Sequence, residues 1–289
     1  MEALRTSYGD TYSDLDSDPD SDRTPPPPSN TDPTQPSNLL PPPLLSLLNP
    51  PNSLGTFDYL EHGMASRVRS FPHGEGNYAL HVYIPVNIPP ATKKELAQFL
   101  KRVTPLVPGL HVVNADVPLN NLLRDDQKLE QVAFEREFHI SLGRTVPIRV
   151  HQKDSILAML RQKFQTHSRY WIDFNKWEVF VNDDRTRTFL SIEVTAGGLA
   201  EITKQIQAVN RIYKLHNLPE FYKDPRPHIS IAWALGDIGD LLKRVVAAEM
   251  KRFIVVEGSS QKRIFTSKFS GIKCRIGNKH HKICKFQEE

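Results

Sequence analysis

The chain has 289 residues, a formal net charge of +4, a pI of about 8.9 and two cysteines. Two cysteines argue against a disulfide framework and suit a reducing compartment. The sequence also predicts no membrane span and no secretory signal peptide, because its apolar runs are short and its N-terminus is acidic and polar.

The first 60 residues are predicted to be disordered. They hold 12 of the 23 prolines and an alternating Asp/Ser run at positions 13–22. Such a segment cannot bury enough apolar surface to offset the entropy of ordering it. Residues 1–32 carry a net charge of −6, which leaves +10 for residues 33–289. A basic domain, placed at residues 61–289, suits a polyanionic partner such as RNA, although a basic protein without such a partner would carry the same charge.

The remaining chain is predicted to mix strands and helices irregularly. Apolar patterning predicts strands over residues 77–86, 110–114, 138–150, 177–181, 189–194, 228–234 and 253–257. It predicts helices over 91–107, 154–164, 199–215 and 237–250, a loop over 120–126, and a β-hairpin over 263–286 that turns at Gly277-Asn278. Because the order lacks a regular parallel βαβ repeat, we expect an α+β fold with antiparallel sheets flanked by helices.

Two copies of one four-residue pattern, 89 residues apart, are the most informative feature of the chain. They are His139-Ile140-Ser141-Leu142 and His228-Ile229-Ser230-Ile231. On a strand, the histidine and the serine share one face and the two apolar residues share the other. The pattern therefore predicts two pseudo-symmetric lobes, each of which donates one motif strand to a shared active-site cleft. The less specific interpretation is two amphipathic strands whose polar faces carry these residues without a catalytic role.

Two imidazoles and two hydroxyls around one volume can cleave RNA without a metal. The ribose supplies the nucleophile, its 2′-OH, so the protein needs only a base for that hydroxyl and an acid for the departing 5′-oxygen. Imidazole can perform either task near neutral pH. The hydroxyls of Ser141 and Ser230 can donate hydrogen bonds to the non-bridging phosphate oxygens, where charge grows in the transition state.

The residues that flank the two motifs resemble those of the U6 small nuclear RNA phosphodiesterases, a family within the 2H phosphoesterase superfamily. The resemblance covers residues 63–285. The similar segments are 67–73 (RVRSFPH), 76–78 (GNY), 81–85 (HVYIP), 137–142 (EFHISL), 182–190 (NDDRTRTFL), 193–195 (EVT), 220–225 (EFYKDP), 227–233 (PHISIAW), Gly236-Asp237, and, near the end, Cys274, Gly277, Asn278 and Lys279.

This resemblance implies a 3′–5′ exoribonuclease that trims the oligouridine tail of U6 RNA in the nucleus, without a metal or other cofactor. It implies a 2′,3′-cyclic phosphate or a 3′-phosphate on the product. It further implies that His228 is the base toward the 2′-OH, that His139 is the acid toward the leaving oxygen, and that Tyr222 stacks on the terminal nucleotide. RNA is then the expected partner, with no membrane association and a monomeric state.

Other interpretations of the sequence remain open. The chain could be a superfamily member that opens 2′,3′-cyclic phosphates on tRNA or small nucleotides, or a non-catalytic RNA-binding module. A metal-dependent nuclease is disfavoured because Asp183 and Asp184 stand side by side in a turn without a second acidic cluster.

The chain also contains a possible set of zinc ligands and a further histidine on a predicted strand. The possible zinc ligands are Cys274, His280, His281 and Cys284. They are disfavoured as a set because neighbouring residues on a strand point to opposite faces. His81, on an apolar strand, is interpreted as a packed histidine.

Overall fold

The computed structural model describes residues 76–115, 117–166, 168–257 and 263–285, with side chains described throughout these ranges except at 253–257 and 285. All of them belong to one compact unit within residues 49–289. The predicted disordered segment, residues 1–60, lies outside the described residues. Among these residues, no helix is long and apolar enough to cross a membrane.

Strands and helices alternate irregularly along the described chain. The strands are β1 (Asn77–Val86), β2 (His111–Val112), β3 (Phe138–Ser141), β4 (Val146–Arg149), β5 (Trp171–Phe174), β6 (Lys176–Val181), β7 (Arg187–Glu193), β8 (His228–Leu235), β9 (Phe265–Lys268), β10 (Gly271–Ile276) and β11 (Lys279–Lys285). The α-helices are α1 (Pro90–Val103), α2 (Asp126–Phe134), α3 (Lys153–Lys163), α4 (Leu199–Leu215) and α5 (Gly239–Glu257).

Two antiparallel sheets organise the described part of the chain, which confirms the predicted α+β class. The first lobe is a sheet of order β11-β10-β1-β3, with β4 also paired to β1. The second lobe is a sheet of order β2-β8-β7-β6. A short pair, β5-β9, stands apart from both. The two motif strands β3 and β8 belong to different sheets, and their residues come within 8 Å of each other, Cα to Cα.

Strand β1 shows why the sheet of the first lobe has one apolar face in the core and one face that carries polar side chains. Leu80, Val82 and Ile84 are fully buried and alternate with His81 and Tyr83. Side chains two residues apart share a face of the sheet, so the aliphatic set packs into the core while the ring pair faces the other way. Full burial of each aliphatic side chain contributes roughly 1.5–3 kcal/mol. The core thus fixes which face of this sheet carries the polar groups.

Helix α4 covers part of the core and has the bounds that its periodicity predicts. Ile202, Ile206 and Val209 are buried along one stripe. The helix begins after Gly198, whose φ of +83° favours glycine. A Cβ there would lie 2.8 Å from the carbonyl oxygen of Trp171, so the close approach of β5 also requires glycine.

Two of the predicted strands differ from the structure. The predicted strand 138–150 is divided into β3 and β4, which pair with different halves of β1. The chain leaves the sheet between them, where a Cβ on Gly143 would lie 3.0 Å from the ring of Tyr213. The predicted strand 253–257 is wrong, because α5 continues to Glu257. Its β-branched run suggests a strand, but no glycine or proline separates it from the preceding helix.

Helix α2 begins at the end of the predicted loop 120–126 and covers a stretch for which the patterning predicted no element. The side chain of Asp125 caps it by accepting a hydrogen bond from the backbone N–H of Lys128, at 3.0 Å. The buried residues of this helix are Leu129, Ala133 and Phe134. The helix is only nine residues long, so packing of this face rather than intrinsic propensity maintains it.

Candidate active site

The motif strands present their histidines and serines as the alternation predicts. On β3, His139 and Ser141 are half-buried while Ile140 is fully buried. On β8, His228 and Ser230 are half-buried while Ile229 and Ile231 are fully buried. The apolar residues anchor each strand in the core, and the polar residues of both strands are left on accessible faces.

A polar pocket of about 340 Å³ lies beside the first motif. Its lining consists of His81, Tyr83, Asn114, Glu137, His139, Ser141, Thr145, Arg275 and His280. The imidazole of His139 meets the ring of His81 edge-on at 4.9 Å and that of Tyr83 at 5.6 Å, between ring centroids. Packing against two rings restricts the orientation of His139 within the pocket.

His139 is a weak base in the free protein. Burial, together with the positive charges of Arg275, His228 and Arg136, lowers its pKa to about 4. The contribution of His228 indicates that the two motif imidazoles are electrostatic neighbours. A bound anion would have the opposite effect, because it favours the protonated ring.

A backbone carbonyl orients the second motif histidine. The Nδ1 atom of His228 lies 2.7 Å from the carbonyl oxygen of Arg226. A carbonyl oxygen only accepts, so Nδ1 carries the hydrogen and Nε2 of the neutral ring keeps its lone pair. The ring of Phe180 stacks on this imidazole at 4.1 Å. Burial lowers the pKa of His228, against the raising effects of the Arg226 carbonyl and the Glu193 carboxylate.

An ion-pair network stands behind His228. The guanidinium of Arg226 donates to both carboxylate oxygens of Glu193, at 2.6 Å each, and to Glu178 at 2.6 Å. It also lies 4.8 Å from the centroid of the Phe180 ring. Glu193 is buried and is the cross-strand partner of His228. The ion pairs of the Arg226 side chain therefore fix the position of its own backbone carbonyl, which orients the imidazole of His228. The same side chain packs on the Phe180 ring, which stacks on that imidazole.

Each motif serine has a polar neighbour from the adjacent strand. The Oγ atom of Ser141 lies 2.9 Å from Nε2 of His81 on β1. The Oγ atom of Ser230 lies 3.3 Å from that of Ser191 on β7. The serine of the first lobe thus contacts an imidazole, and the serine of the second lobe contacts a hydroxyl.

Tyr222 lies in the loop before β8 and is 45% exposed. Its hydroxyl donates to Asp183 at 3.3 Å, and the guanidinium of Arg144 lies 4.0 Å from its ring centroid. Arg144 also pairs with Asp183 at 3.0 Å. Tyr222 is not among the residues that line the pocket beside His139.

The hairpin does not assemble the four possible zinc ligands. Cys274 is fully buried opposite His281, whereas His280 is opposite Arg275 and lies 3.2 Å from the hydroxyl of Tyr83. Over the ranges that the structure describes, no group of three or more His, Cys, Asp and Glu side chains could hold a metal ion.

Several residues of the site escaped the motif analysis. They are His81, Tyr83, Arg136, Phe180, Glu193, Arg226 and Arg275. His81 is packed and buried, as predicted, but it also contacts Ser141. The polar alternation of His81 and Tyr83 within an apolar strand was the available signal for the first lobe. The network around Arg226 left no signal of that kind.

Comparisons with known proteins place the chain in a family. A family model named HVSL, described as an uncharacterised conserved protein, matches residues 40–284. U6 snRNA phosphodiesterase 1 of Homo sapiens is 30% identical over 223 residues, which are 77% of this chain and 74% of that protein. The Xenopus laevis protein of the same name is 31% identical over 214 residues, 74% of this chain and 76% of that protein.

Solved structures also align with the chain. Kluyveromyces marxianus Usb1 aligns over 71% of this chain and 97% of its own, with a TM-score of 0.46 and 12% identity. Escherichia coli LigT aligns over 73% of this chain and 96% of its own, with a TM-score of 0.40 and 10% identity. The sequence matches decide the assignment: this chain belongs to the HVSL family of U6 snRNA phosphodiesterases.

Proposed function

We propose that this protein is a 3′–5′ exoribonuclease that shortens the oligouridine 3′ end of U6 small nuclear RNA. The relatives are named for a phosphodiesterase activity on U6 snRNA. The observation that carries the proposal to this chain is the pair of motif strands, which bring His139 and His228 close enough for the charge of one to lower the pKa of the other.

The two histidines divide the acid–base work. His228 has its Nδ1 hydrogen bound to the Arg226 carbonyl, so its Nε2 lone pair is available to take the proton of the 2′-OH. The alkoxide attacks the adjacent phosphorus, the bond to the 5′-oxygen breaks, and His139 donates a proton to that oxygen. The product end is a 2′,3′-cyclic phosphate. If water then opens the ring to a 3′-phosphate, the two histidines exchange roles.

His139 must acquire a proton before it can act as the acid. In the free protein its pKa is about 4, because the ring is buried among cations. The negative phosphate of a bound substrate raises that pKa, so binding itself loads the acid. The hydroxyls of Ser141 and Ser230 donate to the non-bridging oxygens and stabilise the charge that grows there.

Tyr222 holds the terminal nucleotide by stacking. Its half-exposed ring already carries the Arg144 guanidinium at 4.0 Å, which fixes the plane of the ring before a base arrives. Stacking accepts any base, so a preference for uridine requires further contacts.

Residues 61–289 form the catalytic domain, the protein acts as a monomer, and a U6 substrate places it in the nucleus.

The first prediction is stepwise trimming that does not depend on added metal. Purified protein should remove nucleotides one at a time from the 3′ end of an oligouridine-tailed RNA. Addition of about 5 mM EDTA should leave the rate unchanged, because imidazoles supply both acid and base. Gel analysis of a 5′-labelled RNA measures the ladder. An RNA blocked at its 3′ end is the control for direction. Internal cuts, or hydrolysis only of 2′,3′-cyclic UMP, would contradict the proposal.

The second prediction concerns pH. The pKa of His139 falls to about 4 and that of His228 also lies below its ordinary value, so both rings of the free protein are neutral at neutral pH. In the reactive form His139 is protonated and His228 is neutral, so the pair of rings carries a single added proton. The fraction of protein with one added proton grows as the pH falls toward the higher of the two macroscopic pKa values of the pair. We expect a bell-shaped kcat/KM that peaks below about pH 6.5.

The pH profile is measured from initial rates at low RNA concentration, from about pH 4 to pH 9. On the alkaline side of the peak, kcat/KM should fall by about tenfold per pH unit. Protein held at each pH and returned to the optimum serves as the control for unfolding. A flat profile would contradict the two-histidine mechanism.

A further inference from the structure

The imidazole of His81 is a buried titratable group that the mechanism above does not use. It is 6% exposed on β1, and its ring stacks on Tyr83 with centroids 5.0 Å apart. Its Nε2 atom lies 2.9 Å from Oγ of Ser141, a distance typical of a hydrogen bond. A side chain so confined has its polar atom directed at one partner, the motif serine.

We propose that His81 is a positioning residue for Ser141: its Nε2–H donates to Oγ of Ser141 and thereby directs the serine O–H toward a non-bridging oxygen of the scissile phosphate. This inference rests on the proposed function and deepens it. It adds a residue outside both motifs to the machinery that stabilises the transition state.

The direction of the hydrogen bond follows from the chemistry of the phosphate. Non-bridging oxygens of a phosphodiester have only lone pairs, so a serine that binds one must donate its single hydrogen to it. The serine oxygen can then only accept from His81. The resulting chain of donors, from imidazole to hydroxyl to phosphate, strengthens each bond by polarising the next. The reverse arrangement would turn the lone pairs of Ser141 toward the phosphate and repel it.

The surroundings favour an uncharged imidazole at this position. Burial lowers the pKa of His81 well below its ordinary value, and the charges of His139 and Arg275 lower it further. A neutral ring has one N–H, and placing it on Nε2 gives the donor that the serine needs. A charge beside His139 would also oppose the protonation that the acid requires.

The second lobe shows that this contact is not a requirement of the fold. Ser230 has Ser191 as its polar neighbour, directly opposite on β7, at 3.3 Å. The position directly opposite Ser141 is Tyr83, and His81 reaches the serine from two residues further along β1. A hydroxyl can rotate and either donate or accept, whereas the imidazole fixes one hydrogen in one direction.

A double-mutant cycle on trimming of an oligouridine RNA tests the proposal. Ser141→Ala should lower kcat/KM by about a hundredfold, the scale of one lost transition-state donor. His81→Leu should lower it by about tenfold in the wild-type background, and by less than about twofold in the Ser141→Ala background, because the partner is already absent. An equal loss in both backgrounds would overturn the inference, and so would wild-type activity in Ser141→Ala.

A conservative replacement distinguishes positioning from packing. The side-chain amide of His81→Gln can place a donor near the position of Nε2, so this variant should recover most of the loss seen with His81→Leu. His111→Leu is the matched control, since His111 stacks on Trp233 in the second lobe and does not line the pocket beside His139. It should trim at the wild-type rate. Unfolding midpoints of all variants identify any loss that comes from stability.

Sulfur substitution gives a readout that packing alone would not change. Wild-type protein should cleave the two phosphorothioate diastereomers of the scissile linkage at different rates, because sulfur accepts the serine hydrogen bond poorly. Ser141→Ala should remove most of this discrimination, and His81→Leu should reduce it in part. Unchanged discrimination in His81→Leu would refute the positioning role. If wild-type protein does not trim RNA at all, the proposed function fails; if it trims but the cycle is additive, only the role of His81 fails.

Discussion

His139→Ala and His228→Ala are each expected to lower the rate of 3′ trimming by at least about a hundredfold, the usual scale for the loss of a general acid or base. Neither imidazole anchors the core, since the fully buried residues of the motif strands are their isoleucine neighbours. The unfolding midpoints should therefore change little. The measurement is single-turnover trimming of a 5′-labelled oligouridine RNA, accompanied by denaturant unfolding of each variant.

The double variant should be hardly slower than the single ones. Acid and base act on one proton-transfer sequence, and groups that act as a unit show strongly non-additive losses. His151→Ala is a suitable control, because His151 is an exposed histidine beyond β4. Trimming at nearly the wild-type rate by either single variant would remove its histidine from the mechanism.

The sequence allows prediction of the elements whose signals are local. The bounds of β1 and α4 agree with their periodicity, and the hairpin β10-β11 turns where Gly277-Asn278 predicts. The motif strands were predictable for the same reason, since an alternation of period two is visible within four residues. Signals of this kind require no knowledge of which strand lies beside which.

The contacts around the motifs could not be predicted, because they depend on strand register. His81 meets Ser141 across 60 residues of chain, and Arg226 meets Glu193 across 33. Each contact exists only once β1 is paired with β3, or β7 with β8, in one specific register. The strand predicted over 253–257 is wrong for a different reason. Its β-branched composition favours a strand, but helix α5 continues through it.

The second large effect concerns the source of the nucleophile. If the 2′-OH of the penultimate ribose attacks the phosphorus, replacing that ribose by 2′-deoxyribose removes the nucleophile and should stop removal of the last nucleotide. Binding should persist, because the phosphates and the stacking face of the terminal base are unchanged. An RNA that is deoxy only at the terminal ribose is the matched control, and it should still be cut once.

The most direct test of the two-histidine transesterification is mass spectrometry of the RNA ends after reaction of these two substrates and the all-ribose RNA, with EDTA present. We predict a shortened RNA that ends in a 2′,3′-cyclic phosphate, or in the 3′-phosphate formed from it, for the all-ribose and terminal-deoxy substrates. The penultimate-deoxy substrate should remain intact while it still competes for binding. Efficient cleavage of the penultimate-deoxy RNA, or a product that ends in a 3′-hydroxyl, would mean that activated water is the nucleophile and would contradict this mechanism.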